Sequence, residues 1–138
     1  MRDALVRLLH EGGYSLGVWN GNTRTCTRRR GTDLYNLLLH EPDFLRGALV
    51  MDKVVGKGAA ALIIMGGVAE LHADVISEAA LALLGASDVK VVGYDRLVTH
   101  IVNREGTGMC PVETLCKDAK TAEECLPLIH GFMKRQRA

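Results

Sequence analysis

The stretch "GALVMDKVVGKGAAALIIMGGVAELHADVISEAALALLGASDVKVVGY" (residues 47–94) decides the fold of this chain. Runs rich in valine and isoleucine alternate in it with runs rich in alanine and leucine that end at glycines. The pattern predicts strands at 47–55, 68–76 and 88–94, and helices at 57–67 and 77–87, the second helix with Ser77 as its N-cap. Alternating strands and helices call for parallel strands that are joined by right-handed crossovers.

The residues before this stretch predict a helix, a hairpin and a second helix. The first helix has an apolar face of leucines and valine and ends at Gly12-Gly13. Asn20-Gly21 is a strong hairpin signal, so we expect strands at 14–19 and 22–29 on either side of it. The segment 32–40 predicts a short helix that ends before a proline.

The residues after this stretch predict mainly helix. We expect a helix at 95–105, a glycine-rich loop at 106–108 and a helical turn that begins at Cys110-Pro111. Thr121 and Glu124 have the spacing of a capping box, and an amphipathic helix follows them. With 138 residues, the chain is interpreted as one α/β domain over 1–138.

Composition and charge argue against several classes of protein. Seventeen basic and sixteen acidic side chains leave a net charge of +1, and only 4% of residues are aromatic. General binding of nucleic acid needs a basic excess, and base stacking needs exposed aromatic rings. The N-terminus lacks the apolar core of a signal peptide, and the apolar run at 58–69 is too short to span a membrane. We therefore expect a cytoplasmic protein with neither nucleic acid nor membrane as its partner.

The four cysteines give no sign of a metal centre. Cys26, Cys110, Cys116 and Cys125 form no C-x-x-C pair, and their spacing matches no common zinc site. Without an export signal, reduced thiols are the expected state.

Three motifs carry a resemblance to a known family. The element order is similar to the cytidine-deaminase-like fold, which begins with a helix and an antiparallel hairpin and continues with strand–helix units. The segments "DKVVGKGAAALIIMGGV", "ADVISEAAL" and "NREGTGMCPVETL" resemble the motifs of an uncharacterised prokaryotic domain family assigned to that fold. The resemblance covers roughly residues 14 to 118. It implies a three-layer fold: a mixed sheet with an N-terminal antiparallel hairpin and helices on both faces.

The zinc-binding motifs of deaminases are absent. A zinc deaminase has H-x-E at the start of one helix and P-C-x-x-C at the start of the next. The corresponding positions here read Gly56-Lys57-Gly58-Ala59 and Ile76-Ser77-Glu78-Ala79, with neither thiol nor imidazole. His72 lies in a strand and has no companion ligand in the sequence. The resemblance therefore implies a pocket without zinc, and we expect no metal and no cofactor.

The first candidate site is the helix start at Gly56–Gly58. Free backbone N–H groups and the helix dipole attract anions there, two glycines allow close approach, and Lys53 and Lys57 add positive charge. Asp52, near the end of a predicted buried strand, would accept a hydrogen bond from ribose or base. The alternative is a tight strand-to-helix turn with solvated lysines. Glu78 joins the ligand-binding candidates, and its alternative role is to complement the helix dipole.

The second candidate is the loop before Pro111. Asn103, Arg104, Gly106 and Thr107 offer polar contacts for phosphate or ribose, and Cys110 precedes a helix start where a thiol pKa is lowered. In the alternative interpretation, Cys110 is a packed residue and the loop is polar for solubility alone.

A basic stripe is predicted on one face of the second hairpin strand. Arg24, Arg28 and Arg30 share that face with Cys26 by alternation. Such a row either blocks edge-to-edge pairing or tracks phosphates.

Three hypotheses of function follow. The first is a non-deaminating domain that binds a nucleotide or nucleotide-derived ligand in the former deaminase pocket, the 103–110 loop closing the site. The second is an enzyme that uses Cys110 as nucleophile or attachment site in a group transfer. The third is a homodimeric interaction module.

Overall fold

The computed structural model describes residues 7, 10–14, 16–21, 23–27, 32–101 and 111–137 of the chain. Its centre is a five-stranded mixed sheet with the strand order β2-β1-β3-β4-β5. The strands are β1 (Leu16–Asn20), β2 (Thr23–Thr27), β3 (Leu49–Val55), β4 (Glu70–Ser77) and β5 (Lys90–Val98). β1 pairs antiparallel with both β2 and β3, whereas β3, β4 and β5 run parallel.

Six helices accompany the sheet in the described part of the chain. They are α1 (Thr32–His40), α2 (Pro42–Leu45), α3 (Lys57–Met65), α4 (Glu78–Gly85), α5 (Pro111–Leu115) and α6 (Ala122–Arg137). Arg7 and His10–Gly12 are also helical, and Gly13 follows them with φ 66°, which agrees with the predicted glycine stop. No helix among these described residues is both long and apolar enough to cross a membrane.

The hairpin forms where it was predicted, but its turn is displaced by one residue. Asn20 pairs with Thr23, so the two-residue loop consists of positions 21 and 22 rather than Asn20-Gly21. Gly21 has φ 63°, the conformation that a tight hairpin turn requires and that glycine adopts without strain. Asn20 is held elsewhere, because its side-chain amide donates to the carbonyls of Phe44, at 2.8 Å, and Arg46, at 3.1 Å.

The helix predicted at 95–105 is wrong over 95–101, and positions 102–105 lie outside the described residues. Residues 95–98 belong to β5, which pairs with β4 as far as Ser77 and Val98, and Thr99–Ile101 are not helical. β5 lies at the edge of the sheet and carries exposed polar residues on both faces. Its sequence therefore lacks the apolar alternation of a half-buried strand, which is why the strand was predicted too short.

The main core lies between one face of the sheet and the helices. α3 packs against α4 and α6, and buried side chains of β1, β3 and β4 meet them. A smaller cluster on the opposite face joins Met51 to Tyr14, Trp19 and Leu49. Alternation along β3 and β4 places Met51 and His72 on this second face, and Val50 and Ala73 on the first.

Both predicted helix caps are confirmed. Ser77 is fully buried, and its hydroxyl accepts a hydrogen bond from the Ala80 N–H at 3.2 Å. The Thr121 hydroxyl accepts from the Glu124 N–H, also at 3.2 Å, and lies 3.2 Å from the Glu124 carboxylate. These bonds satisfy N–H groups that have no partner within their own helix.

Candidate functional site

The candidate site lies at the carboxyl edge of two neighbouring parallel strands. Val55 and Ile76 are paired at the ends of β3 and β4, and α3 and α4 begin within two residues of them. Ligands of open α/β sheets bind outside this edge, where the helices begin. The structure thus brings the first predicted site and Glu78 to the same edge.

The glycines at the start of α3 make room for α5. A β-carbon on Gly58 would overlap the Val112 side chain, and one on Gly56 would overlap the carboxylate of Glu113. Gly56 is the N-cap of α3, and no side chain caps this helix. The groups that come close to these glycines are side chains of the protein itself, and the approach of an anion stays a prediction.

Glu113 carries a buried carboxylate at this helix start. The residue is 5% exposed, and its Oε2 atom has no hydrogen-bond partner in the described structure. The side chain of Ile101 lies beside it, 3.1 Å from the position of a β-carbon on Gly56. A buried acceptor without a donor costs roughly 1–3 kcal/mol, so Glu113 is poised to accept a hydrogen bond.

Lys57 is bound to backbone carbonyls. Its ammonium group donates to the carbonyl of Lys117, at 3.0 Å, and to that of Ala119. These bonds tie α3 to the connection between α5 and α6. The side chain is therefore occupied by a structural contact rather than directed at an anion.

Two buried thiols lie close to this contact. Cys116 and Cys125 are free and fully buried. Burial raises the pKa of Cys116 to about 12, and the neighbouring Cys125 thiol adds to the increase while Lys57 opposes it. Burial also raises the pKa of Cys125 above its usual range. Both thiols are accordingly protonated at neutral pH and are poor nucleophiles.

Asp52 and Lys53 do not act together. They are adjacent on β3, so their side chains point to opposite faces of the sheet. Asp52 is half-buried and lies beside Ala73 on the helix-covered face, whereas Lys53 is exposed. Glu78 is exposed at the first position of α4.

Several predicted site residues lie outside the described part of the chain. They are Asn103, Arg104, Gly106, Thr107 and Cys110. The basic stripe falls there in part: Arg28 and Arg30 are outside, and for Arg24 and Cys26 only the backbone pairing with Trp19 and Gly17 is described.

Comparison with known proteins places the chain in a family. Residues 4–133 match the family described as a domain of unknown function, DUF1893. The chain belongs to this family. The DUF1893 fold seen here is similar to the crystal structure of a DUF1893 family protein (TM1506) from Thermotoga maritima, with a TM-score of 0.84 and 27% sequence identity. The similarity covers 94% of this chain and 87% of that one. Among curated proteins, none matches.

The sequence did not single out Glu113 as a residue of this candidate site. Glu113 is the third residue of the five-residue helix that begins at Pro111, and an acidic residue is ordinary in the first turn of a helix. The informative signal was the Gly-x-Gly at the start of α3, which predicts that some group comes close but does not say which one. Only the packing of α5 on α3 identifies that group.

Proposed function

We propose that this DUF1893 protein binds a small nucleotide-derived ligand at the start of α3. In this proposal the base of the ligand lies against Glu113 and the pocket uses no zinc. The observation that carries the proposal is the unpartnered Oε2 atom of Glu113, buried beside the α3 N-terminus at the carboxyl edge of the parallel strands. An amino or imino group of a nucleobase is the donor that this acceptor lacks.

Electrostatics favours the base over the phosphate at this position. Two like charges 4 Å apart repel by about 4 kcal/mol at an effective dielectric constant of about 20. The dipole at a helix N-terminus stabilises a bound anion by only about 0.3–1 kcal/mol. Repulsion between two negative groups therefore outweighs the attraction of the helix, and a phosphate directly on Gly56, beside the Glu113 carboxyl group, is disfavoured.

We assign the phosphate end of the ligand to the loop at 103–110. Arg104 supplies a charge that pairs with phosphate, and Asn103 and Thr107 supply hydrogen bonds to phosphate or ribose. Residues 102–110 connect Ile101, which lies beside Gly56, to α5, the helix that carries Glu113. Glu78, exposed at the start of α4, lies at the same carboxyl edge of the sheet.

The arrangement of strands and helices supports the scaffold that the resemblance implies. A hairpin, a mixed sheet and strand–helix units follow one another as in the cytidine-deaminase-like fold. In zinc deaminases the catalytic Glu belongs to the H-x-E motif at the start of a helix. Here a glutamate from α5 reaches such a helix start, and by element order the two zinc-ligand positions hold Gly56-Lys57 and Ile76-Ser77. In this proposal the protein recognises a base but does not deaminate it.

The test is ligand binding by the wild type and by Glu113→Gln. Native mass spectrometry of freshly purified protein identifies a co-purified ligand, and thermal-shift and calorimetric titrations then use adenosine, cytidine, guanosine and their monophosphates. We expect at least one nucleoside to bind, and about tenfold weaker or worse binding by Glu113→Gln, since losing a hydrogen bond to a charged group costs about 1.5–3 kcal/mol. The control is Glu123→Gln on the exposed face of α6, which should bind normally.

Two outcomes contradict the proposal. Equal affinity of wild type and Glu113→Gln would show that the carboxylate does not contact the ligand. Binding of none of the six compounds, with no mass excess in the native spectrum, would remove the nucleotide-derived ligand altogether.

A second candidate function is a homodimeric module, favoured by the edge strand β5. Tyr94 is 42% exposed and Leu97 is 45% exposed on it. Sedimentation at increasing concentration tests this candidate, and Leu97→Lys should weaken any association. A strict monomer removes it.

A further inference from the structure

A cluster of metal-ligating side chains lies on the sheet face opposite the main core. His10, from the N-terminal helical residues, points its Nε2 atom at Asp74 of β4, 3.0 Å from Oδ1 and 2.9 Å from Oδ2. A carboxylate oxygen of Asp95, on β5, lies within 4.8 Å of the ligand atoms of both residues. One imidazole nitrogen and two carboxylates thus converge on one point.

His72 supplies a second, independent observation. Its Nε2 atom is buried and has no hydrogen-bond partner, and it lies 3.9 Å from Oδ1 of Asp74. That separation is too long for a hydrogen bond. Two ligand atoms of a tetrahedral ion with bonds of about 2.1 Å lie about 3.4 Å apart, so a shift of about 0.5 Å would let His72 and Asp74 share one ion.

The sheet fixes the direction of the His72 ring. Gly93 is paired with His72, and a β-carbon there would lie 3.2 Å from the His72 Nδ1 atom. The absence of that β-carbon lets the ring lie over β5 with Nε2 turned toward Asp74. Residues 72 and 74 share one face of β4, and the register places Asp95 beside Asp74.

The local charge favours a cation. Asp74 and Asp95 bring two carboxylates within 4.8 Å of each other, and like charges on neighbouring strands are destabilising. Lys53 lies opposite Asp74 on the neighbouring strand β3. Its side chain is exposed, so its positive charge is solvated and offsets the two carboxylates only weakly. A bound divalent ion would neutralise both carboxylates and give the His72 nitrogen a partner.

We propose that His10, His72, Asp74 and Asp95 bind a divalent first-row transition ion, with zinc as the expected occupant. Imidazole nitrogen and carboxylate oxygen are ordinary zinc ligands, and imidazole disfavours magnesium and calcium as occupants. The ligands come from the N-terminal helical residues, β4 and β5. The ion would therefore clamp the N-terminal helical residues to the second face of the sheet, on the side away from Glu113.

The test is titration of the full chain, freed of metal by chelation, with Zn²⁺ and Co²⁺. We expect calorimetry to show one site, and the cobalt protein to show visible bands of nitrogen and oxygen coordination without a thiolate charge-transfer band. Asp95→Asn and His72→Gln should each bind at least about tenfold more weakly. Zinc should also raise the Tm of the wild type and raise that of Asp95→Asn less.

The controls separate this cluster from other ligands in the chain. His40→Ala removes an exposed histidine at the end of α1 and should bind zinc like the wild type. Asp95 is exposed, so Asp95→Asn should keep the fold, which circular dichroism verifies. A thiolate band in the cobalt spectrum, unchanged affinity in both variants, or no binding at millimolar metal would each overturn the proposal.

Discussion

The Val112 side chain occupies the space that a β-carbon on Gly58 would need. This contact brings α5 into close packing with the start of α3, and it positions the next residue, Glu113, against Gly56. The Gly-Lys-Gly at the start of α3 is therefore the docking surface for α5. Close packing against α5 requires glycine at both positions, and the same packing buries the Glu113 carboxylate.

Gly58→Ala is expected to destabilise the fold. In an exposed helix alanine is better than glycine by about 1 kcal/mol, but overpacking costs about 1–3 kcal/mol and should exceed this gain. The matched control is Gly85→Ala in α4, where a β-carbon would meet no atom within 4 Å. Urea unfolding gives both values, and Gly58→Ala/Val112→Ala should recover part of the loss. A Gly58→Ala variant as stable as Gly85→Ala would refute the close contact.

Lys57→Met should lower stability more than it lowers ligand affinity. The substitution removes two hydrogen bonds to the carbonyls of Lys117 and Ala119 and keeps most of the apolar stem. A loss of about 1–2 kcal/mol in the free energy of unfolding is expected. Exposed Lys53→Met serves as control and should be nearly neutral. Lost nucleotide affinity with unchanged stability would instead restore the lysine to the site that the sequence first suggested.

The buried thiols should make the protein less stable in alkali. The pKa of Cys116 is raised to about 12 from an ordinary 9.0, so its contribution is fully present below about pH 9. Between pH 9 and 12 the unfolded chain loses this proton while the folded chain keeps it. Stability therefore falls as pH rises, by up to about 1.4 kcal/mol per pH unit for one thiol. Urea unfolding at a series of pH values measures the slope, which should be shallower in Cys116→Ala.

Iodoacetamide at neutral pH should alkylate the cysteines unequally. Cys116 and Cys125 should react only after unfolding, because both are buried and protonated. Peptide mapping at timed intervals also tests the hypothesis of a nucleophilic Cys110. Fast alkylation at Cys110 supports group-transfer chemistry, and a rate no faster than that of a model thiol removes it. Rapid labelling of Cys116 in the folded chain would contradict its burial.

Removing the cap of α4 should cost more than removing the cap of α6. Ser77→Ala leaves the Ala80 N–H without its acceptor in a fully buried position, whereas Thr121 is exposed and water replaces its hydroxyl. Cap losses are typically about 1 kcal/mol and range from about 0.5 to 2. Ser77→Ala is expected near the upper end and Thr121→Ala near the lower. Chemical denaturation of the two variants in parallel tests this order.

The sequence predicted the parts of the fold that depend on local patterns. Ser77 and Thr121 cap helices as expected, and the parallel strands alternate with helices over 49–98. The failures came where tertiary context decides. The missed residues, 95–98, end an edge strand that carries polar residues on both faces, so neither the strand period nor the helix period shows in the sequence.

The candidate sites were less predictable because distant segments build them. Gly56 indicated a close approach, but nothing local points to Glu113 as the group that approaches. Asp74 follows His72 by two residues on the same strand, but His10, which contacts Asp74, reaches it only when the N-terminal helical residues meet the sheet. Long-range pairing of this kind leaves no periodic signal in one sequence.

The position of β3 has a consequence for synthesis on the ribosome. β3 pairs on one side with β1, made earlier, and on the other with β4, made later. The β1–β2 hairpin therefore pairs with the rest of the sheet only after β3 has been synthesised. Residues 111–115, which include Glu113, emerge after all five strands. The helix that carries Glu113 therefore joins a sheet whose five strands have all been synthesised.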